Sequence, residues 1–579
     1  MRVFLLLILV ISFSQAAKTQ TFPNKLEIPY TIEGPDFDLK IRKATKRFIG
    51  NAVSETYGYN TMNYLGPTLI FNLHDTVRFT IQNTTPSDTA TVHWHGFHLP
   101  AKEDGGPMSM ILPGETWTPE FQVKGLASTK WYHSHMHGAT ATQVYKGMAG
   151  MIIVRDEAES ALNLPRTYGV DDIPLIIQDK YFNQQGGLEY NFLGDTMMVN
   201  GTLSPYVECG RQIIRFRVLN ASVNRVYNIG FLNNKSFAQI ASDGGLLAAP
   251  VQRTRVVVAP GERVELLIDL TNEPVGTDLY LRSFSTEFAP RVVGGSCFGG
   301  TGCGTGPLDA ANFNFMRIRV INPTANPVLS IPSALTTIES IPASQVSRTR
   351  IKRLLNPPTP TGHFTINGGH YDMSVINDTV IVGSTEIWRF QNNTPVAHPM
   401  HIHNVQFNVL RRNNATPPLN ERGWKDVVMV YANETVDVIA TFEEFSDPEY
   451  TYMMHCHYLN HEDGGMMQQF IVIDTISDPV LSLPAASIAA EDMFHIFPNP
   501  SKDQLTISVE KGFLGGHILH GPVSVDLSVY TASGSFVMSR RAYMVNEQTS
   551  LDIAKLAPGT YIVKIISSKG EVSKTFIKK

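Results

Sequence analysis

One segment occurs three times along this chain at domain-length spacing. Asp75-Thr76-Val77-Arg78-Phe79-Thr80-Ile81-Gln82-Asn83, Gln212-Ile213-Ile214-Arg215-Phe216-Arg217-Val218-Leu219-Asn220 and Glu386-Ile387-Trp388-Arg389-Phe390-Gln391-Asn392-Asn393 each read as a β-strand ending in an Asn-rich turn. Repetition at that period means duplicated units, so three related β-sandwiches are predicted in succession. Helix signals are thin elsewhere, and short Val/Ile/Thr/Phe runs punctuated by Gly, Pro and Asn favour an all-β chain. A length of 579 residues leaves room for a further module.

Copies one and three are the closer pair. The first strand is followed by His93-Trp94-His95, His133-Ser134-His135 and Gly147-Met148; the third by His401-Ile402-His403, His455-Cys456-His457 and Gly465-Met466. The middle copy carries Arg225 and Tyr227 in that region and reads as a spacer without metal. Loop composition places a first domain at 17–160, a second at 161–322, a third at 323–476 and a Ser/Ala/Pro linker at 477–493.

Side chains alternate faces along a strand. His93 and His95 therefore share a face, as do His133 and His135, His401 and His403, and His455 and His457. These eight imidazoles can converge between two domains and suit a cluster of three coppers. Cys456 points the other way from its flanking histidines, and His398 has the wrong parity for the 401/403 pair. With His461 they form a trigonal His₂Cys set, and Met466 supplies a weak axial thioether, the blue copper arrangement. Ser134 stands in copy one where Cys456 stands in copy three, as though the first domain had lost its thiolate.

Over roughly residues 25 to 475 this constellation resembles the multicopper oxidases, the three-domain group of laccases, bilirubin oxidases, spore-coat laccases and cuprous oxidases. The resemblance implies three cupredoxin-like Greek-key sandwiches and four coppers per chain. His93 and His401 would bind type 2 copper. His95, His133, His135, His403, His455 and His457 would bind the type 3 pair. Cys456, His398, His461 and Met466 would hold type 1 copper. It also implies proton-relaying acids shortly after the first motif and directly after the last type 1 histidine, here Asp104 and Glu462. The implied partners are dioxygen and a small reducing donor: a phenol, an aromatic amine, a pigment or Cu(I). A phenol oxidase of laccase type is the expected activity, and a cuprous (or Mn/Fe) oxidase for metal detoxification is the alternative.

Residues 494–579 open with Phe497-Pro498-Asn499-Pro500 and run through alternating strands to Lys578-Lys579. They resemble the carboxy-terminal sorting domain of type IX secretion substrates, a small β-sandwich handed to that machinery. Met1-Arg2, the apolar run Val3 to Ile11 and Ser14-Gln15-Ala16 read as a signal peptide, 1–16, implying passage through the periplasm to a secreted or cell-surface location. In that oxidising route Cys297 and Cys303, flanking a Gly-rich loop, are expected to form a disulfide. Cys209 reads as a small buried apolar residue. Scattered Met108, Met110, Met136, Met197 and Met198 read as core filling, and His98 as a loop residue near the cluster. His137 reads as a support behind the ligands or as structural, since the ligand count is complete without it. A net charge of −5 leaves no basic footprint for nucleic acid.

Overall fold

The computed structural model describes residues 20–296, 306–356, 363–474, 494–509, 524–532, 536–543, 548–567 and 570–579. The signal peptide, Cys297, Cys303 and the linker lie outside the described residues. The three repeated segments are the strands Thr76–Asn83, Ile213–Asn220 and Thr385–Asn392. Each pairs in parallel with an earlier strand of its own unit, Asp36–Lys46, Asp172–Phe182 and Val346–Leu355 respectively.

The repeats share a closing device. The Asn that ends each strand is buried, and its side-chain amide clips two crossing segments together. Asn83 donates to the carbonyls of Asp88 and Ile111, Asn220 to Arg225 and Val258, and Asn392 to Val396 and Val430. In each case Oδ1 accepts the backbone N–H two residues on, at Thr85, Ser222 and Thr394. A buried amide needs all these partners, so the same residue recurs where the same crossing recurs.

Each unit buries its own apolar cluster between two sheets. Phe37, Phe79, Trp94 and Tyr132 lie in the first, Ile177, Phe216, Val264 and Phe315 in the second, and Trp388, Phe390, Tyr452 and Phe470 in the third. Asn24–Lys25 pairs in parallel with Pro205–Tyr206, so the chain's first described strand joins the middle sandwich. Cys209 is a fully buried free thiol within the strand Pro205–Gly210. Met197 and Met198 are core residues, whereas Met108 and Met110 are exposed.

Residues 477–579 form a separate compact unit. A three-stranded and a four-stranded antiparallel sheet there enclose Leu505, Ile507, Leu527, Val563 and Phe576. Among the described residues no helix is long and apolar enough to cross a membrane.

Candidate metal centre

The histidine pairs sit at strand ends of two matching sheets. In the first sandwich His93–His95 runs antiparallel to Ser128–His133, which sets His93 opposite His133. In the third, His398–Ile402 runs antiparallel to Asp447–Cys456, which sets His401 opposite His455. Trp94 and Met400 alternate inward to the apolar cores, so the histidines face out of each sandwich. The N–H of Ser134 donates to the Met148 carbonyl at 3.2 Å and that of Cys456 to the Met466 carbonyl at 3.1 Å. Serine and thiolate thus occupy equivalent places in the duplicated scaffold.

All eight cluster histidines are buried, and their free nitrogens converge. Nε2 of His455 lies 3.2 Å from Nε2 of His135 and 3.3 Å from Nε2 of His403. Nδ1 of His95 lies 3.4 Å from Nε2 of His133, and the His457 ring is 4.9 Å from that of His95. Nε2 of His93 and of His401 have no hydrogen-bond partner, and with His403 they form a third set of converging ligand atoms.

The outer ring nitrogens are tied down. Nδ1–H of His93 donates to the Asp104 carbonyl (2.8 Å), His401 to that of Asp426 (2.7 Å), His133 to Ser134 (2.8 Å) and His455 to Cys456 (3.1 Å). His403 donates from Nδ1 to Oδ2 of Asp104 at 2.7 Å. Because carbonyl and carboxylate oxygens only accept, each of these rings carries its proton outward and turns a lone pair inward. Burial pushes His95, His133, His135, His401, His403 and His457 far toward the neutral form, and His455 to about 3.

Neutral lone pairs facing one another at such distances repel unless a cation lies among them, and a buried nitrogen without a partner is costly. The donor set therefore fits metal. The second set is smaller: Sγ of Cys456 lies 3.5 Å from Nδ1 of His398 and 3.6 Å from Nδ1 of His461. Met466 is buried in the same apolar cluster as Cys456. Two imidazoles and a thiol select copper among the common ions when an axial thioether completes them. Burial raises the Cys456 thiol, so a metal must displace its proton to reach the thiolate.

Both predicted acids reach the cluster. Asp104 ends the short helix Ala101–Glu103 and is buried, with Oδ1 unpaired. The following Gly105 adopts φ +76°, where a Cβ would fall 1.8 Å from the Val92 carbonyl oxygen and 2.9 Å from His93 Cα. Only glycine lets that turn pass so close to the ligand strand. Glu462 lies in the helical turn Leu459–Asp463, fully buried, 3.3 Å from Nδ1 of both His135 and His455. Burial pushes its carboxyl well above the usual range. Next to it Asp463, pushed up to about 6 by burial, accepts from the N–H groups of Thr140 and Ala141.

Other histidines stay apart. His98 hydrogen-bonds the Asn404 carbonyl at 2.7 Å, and His137 is exposed against the Tyr371 ring. In the middle copy Arg225 is buried in ion pairs with Asp179 and Asp309. Sequence reasoning missed three contributors. Phe364 packs 4.8 Å from His398 and 4.7 Å from His461. Asp426 touches His95, and Arg263 holds Asp426. No motif flags them: Asp426 stands alone before an apolar strand, and Phe364 follows a loop.

Two sequence profiles described as Multicopper oxidase match residues 40–159 and 342–475, and one described as Secretion system C-terminal sorting domain matches 495–579. Multicopper oxidase mco of Staphylococcus haemolyticus is 31% identical over 471 residues, 79% of this chain and 93% of that protein. Cell division protein FtsP of Yersinia pestis is 33% identical over 487 residues, 81% and 95% of the two chains. The solved structure of McoA multicopper oxidase from Aquifex aeolicus superposes with a TM-score of 0.69 at 33% identity, covering 78% of this chain and 99% of that one.

Proposed function

Since this chain belongs to the multicopper oxidase family, we propose that it oxidises small phenolic or similar donors one electron at a time and reduces dioxygen to water. The observation that carries this reading is Cys456, bracketed by His398 and His461 and covalently continuous with His455 and His457 of the eight-histidine cluster. In this reading Cys456, His398, His461 and Met466 hold type 1 copper, His93 and His401 type 2, and His95, His133, His135, His403, His455 and His457 the type 3 pair. Copper at these ligands supplies one-electron oxidation of the donor and four-electron reduction of dioxygen.

The chain's own residues do the rest. The peptide through His455-Cys456-His457 gives electrons a short covalent route between the two ligand sets. Asp104, with one free carboxylate oxygen, and Glu462, whose carboxyl is pushed up by burial, are placed to deliver protons beside the cluster. Burial of all eight imidazoles excludes bulk water. Some relatives are named for cell division; a purely structural role would not require so many buried, unpaired ring nitrogens.

The donor side centres on His461, the partly exposed ligand. Phe364 offers an aromatic face against it. An aromatic donor suits such a rim better than a metal cation. Oxygen uptake by the copper-loaded enzyme, comparing a methoxyphenol with Cu(I) at matched concentrations, tests the assignment. Faster turnover of the phenol is expected; dominant Cu(I) oxidation would make the protein a copper-defence oxidase. The sorting domain supports delivery outside the cell, secreted or at the surface, by type IX secretion after passage through the periplasm.

Met466 sets the type 1 potential within this scheme. Replacing a weak axial thioether by an apolar side chain favours Cu(I). Met466→Leu is expected to raise the potential in a redox titration of the blue band; an unchanged or lowered value rules out the axial role.

A further inference from the structure

Two stacked pairs of ligand rings cross between the first and third sandwiches. His93 stacks on His403 at 4.0 Å, and His401 stacks on His95 at 3.8 Å. A single aspartate ties each pair. Asp104 takes His93 on its carbonyl and His403 on its carboxylate. Asp426 takes His401 on its carbonyl and places Oδ1 3.0 Å from Nε2 of His95. The two acids are counterparts in the duplicated scaffold, although their sequence spacing from the histidines differs.

We propose that Asp426, clamped by Arg263, is a positioning residue that fixes the inverted ring of His95 and, through its main chain, the ring of His401. This rests on the reading that the buried imidazoles hold copper. Arg263 donates from Nη1 to Oδ1 and from Nη2 to Oδ2 of Asp426, both at 2.6 Å, within a fully buried site. The same guanidinium donates to the carbonyls of Thr129, Gly261 and Asp243. A two-armed ion pair keeps the carboxylate an acceptor, so Nε2 of His95 must carry the proton and Nδ1 is left free. Nδ1 is the nitrogen that faces His133. His93, His133, His401, His403 and His455 have the opposite arrangement, with Nδ1 bonded outward.

The clamp also recruits the sandwich that carries no ligand. Arg263 begins the strand Arg263–Asp269 of the middle unit. At Gly96 (φ +87°) a Cβ would lie 2.5 Å from Oδ2 of Asp426 and 2.8 Å from Nη2 of Arg263, and one at Gly261 would lie 2.9 Å from the His457 ring. The three units therefore close on the ligands with no room for a side chain. Unlike Asp104, whose Oδ1 is free, Asp426 has both oxygens engaged and serves geometry alone.

The test is Asp426→Asn in the copper-loaded full chain, which keeps shape and removes charge. Copper content, the fraction of copper visible by electron paramagnetic resonance and the blue band are measured together. The expected result is about 10–100-fold weaker retention of cluster copper, a larger visible fraction as the coupled pair is lost, and an intact blue band. Asp426→Glu, which retains the charge, should recover part of the silent pair. Wild-type copper retention and a wild-type silent pair in Asp426→Asn overturn the proposal. If that variant also lacks the blue band, Arg263→Lys decides: one donor in place of two should enlarge the visible fraction, and an unchanged fraction overturns it. Wild-type protein that binds no copper at these histidines would instead overturn the functional reading.

Discussion

Cys456→Ser is expected to abolish the blue absorption band and to lower donor-driven oxygen uptake by at least about 100-fold. Altering a group that merely supports a metal ligand already costs about 10–100-fold, and here the ligand itself is removed. A hydroxyl of nearly the same size leaves the apolar packing around Tyr452, Tyr458 and Met466 undisturbed. The scaffold accepts serine at the equivalent place in the first sandwich, where Ser134 donates to the Gln143 side chain. The variant should therefore fold and keep copper at the eight-histidine cluster. Metal content, visible absorption and oxygen uptake measured on one preparation separate these effects. Retained turnover with Cys456→Ser would mean that electrons enter by another route.

Copper-free protein is expected to lose thermal stability steeply as the pH falls below about 6.5, while copper-loaded protein holds. Histidine in an unfolded chain titrates near 6.5. In the folded protein burial pushes His455 to about 3 and drives His95, His133, His135, His398, His401, His403 and His457 in the same direction. Between those values the unfolded chain binds the extra protons. Stability therefore rises with pH across the window and drains away toward about 3, at about 1.4 kcal/mol per pH unit for each fully buried imidazole. Glu462 and its neighbour Asp463 oppose the trend, because their raised carboxyls hold protons more tightly in the folded state. These two carboxyls do not offset eight imidazoles. Bound copper occupies the lone pairs and stabilises the folded state by mass action. Unfolding scans at several pH values, with and without a chelator, measure the difference. A flat, chelator-independent profile would show that the imidazoles are not held neutral.

The alternation rule carried the grouping of the histidines a long way. His93/His95 and His401/His403 could be paired by parity because a strand exposes every second residue, and His93–His95 and His398–Ile402 are strands. The triplicate strand with its terminal Asn was equally legible, since one buried amide solves the same crossing three times. Glu462 was found by its place after His461, but its environment was not. Sequence alone leaves a glutamate before Asp463-Gly464-Gly465 free to be an exposed loop residue; a helical turn seats it between His135 and His455.

What this chain's sequence determined by itself is the inventory and the parity: which side chains are candidate ligands, and which face of each strand they occupy. Those are local properties, governed by backbone geometry over a few residues. What only the tertiary structure decided is the orientation of each ring. His95 turns because Asp426, 331 positions away, accepts from its Nε2, and Asp426 is held by an arginine from a sandwich without ligands. Ring orientation depends on hydrogen-bond acceptors arriving from separate units, and their meeting is set by how the three sandwiches pack.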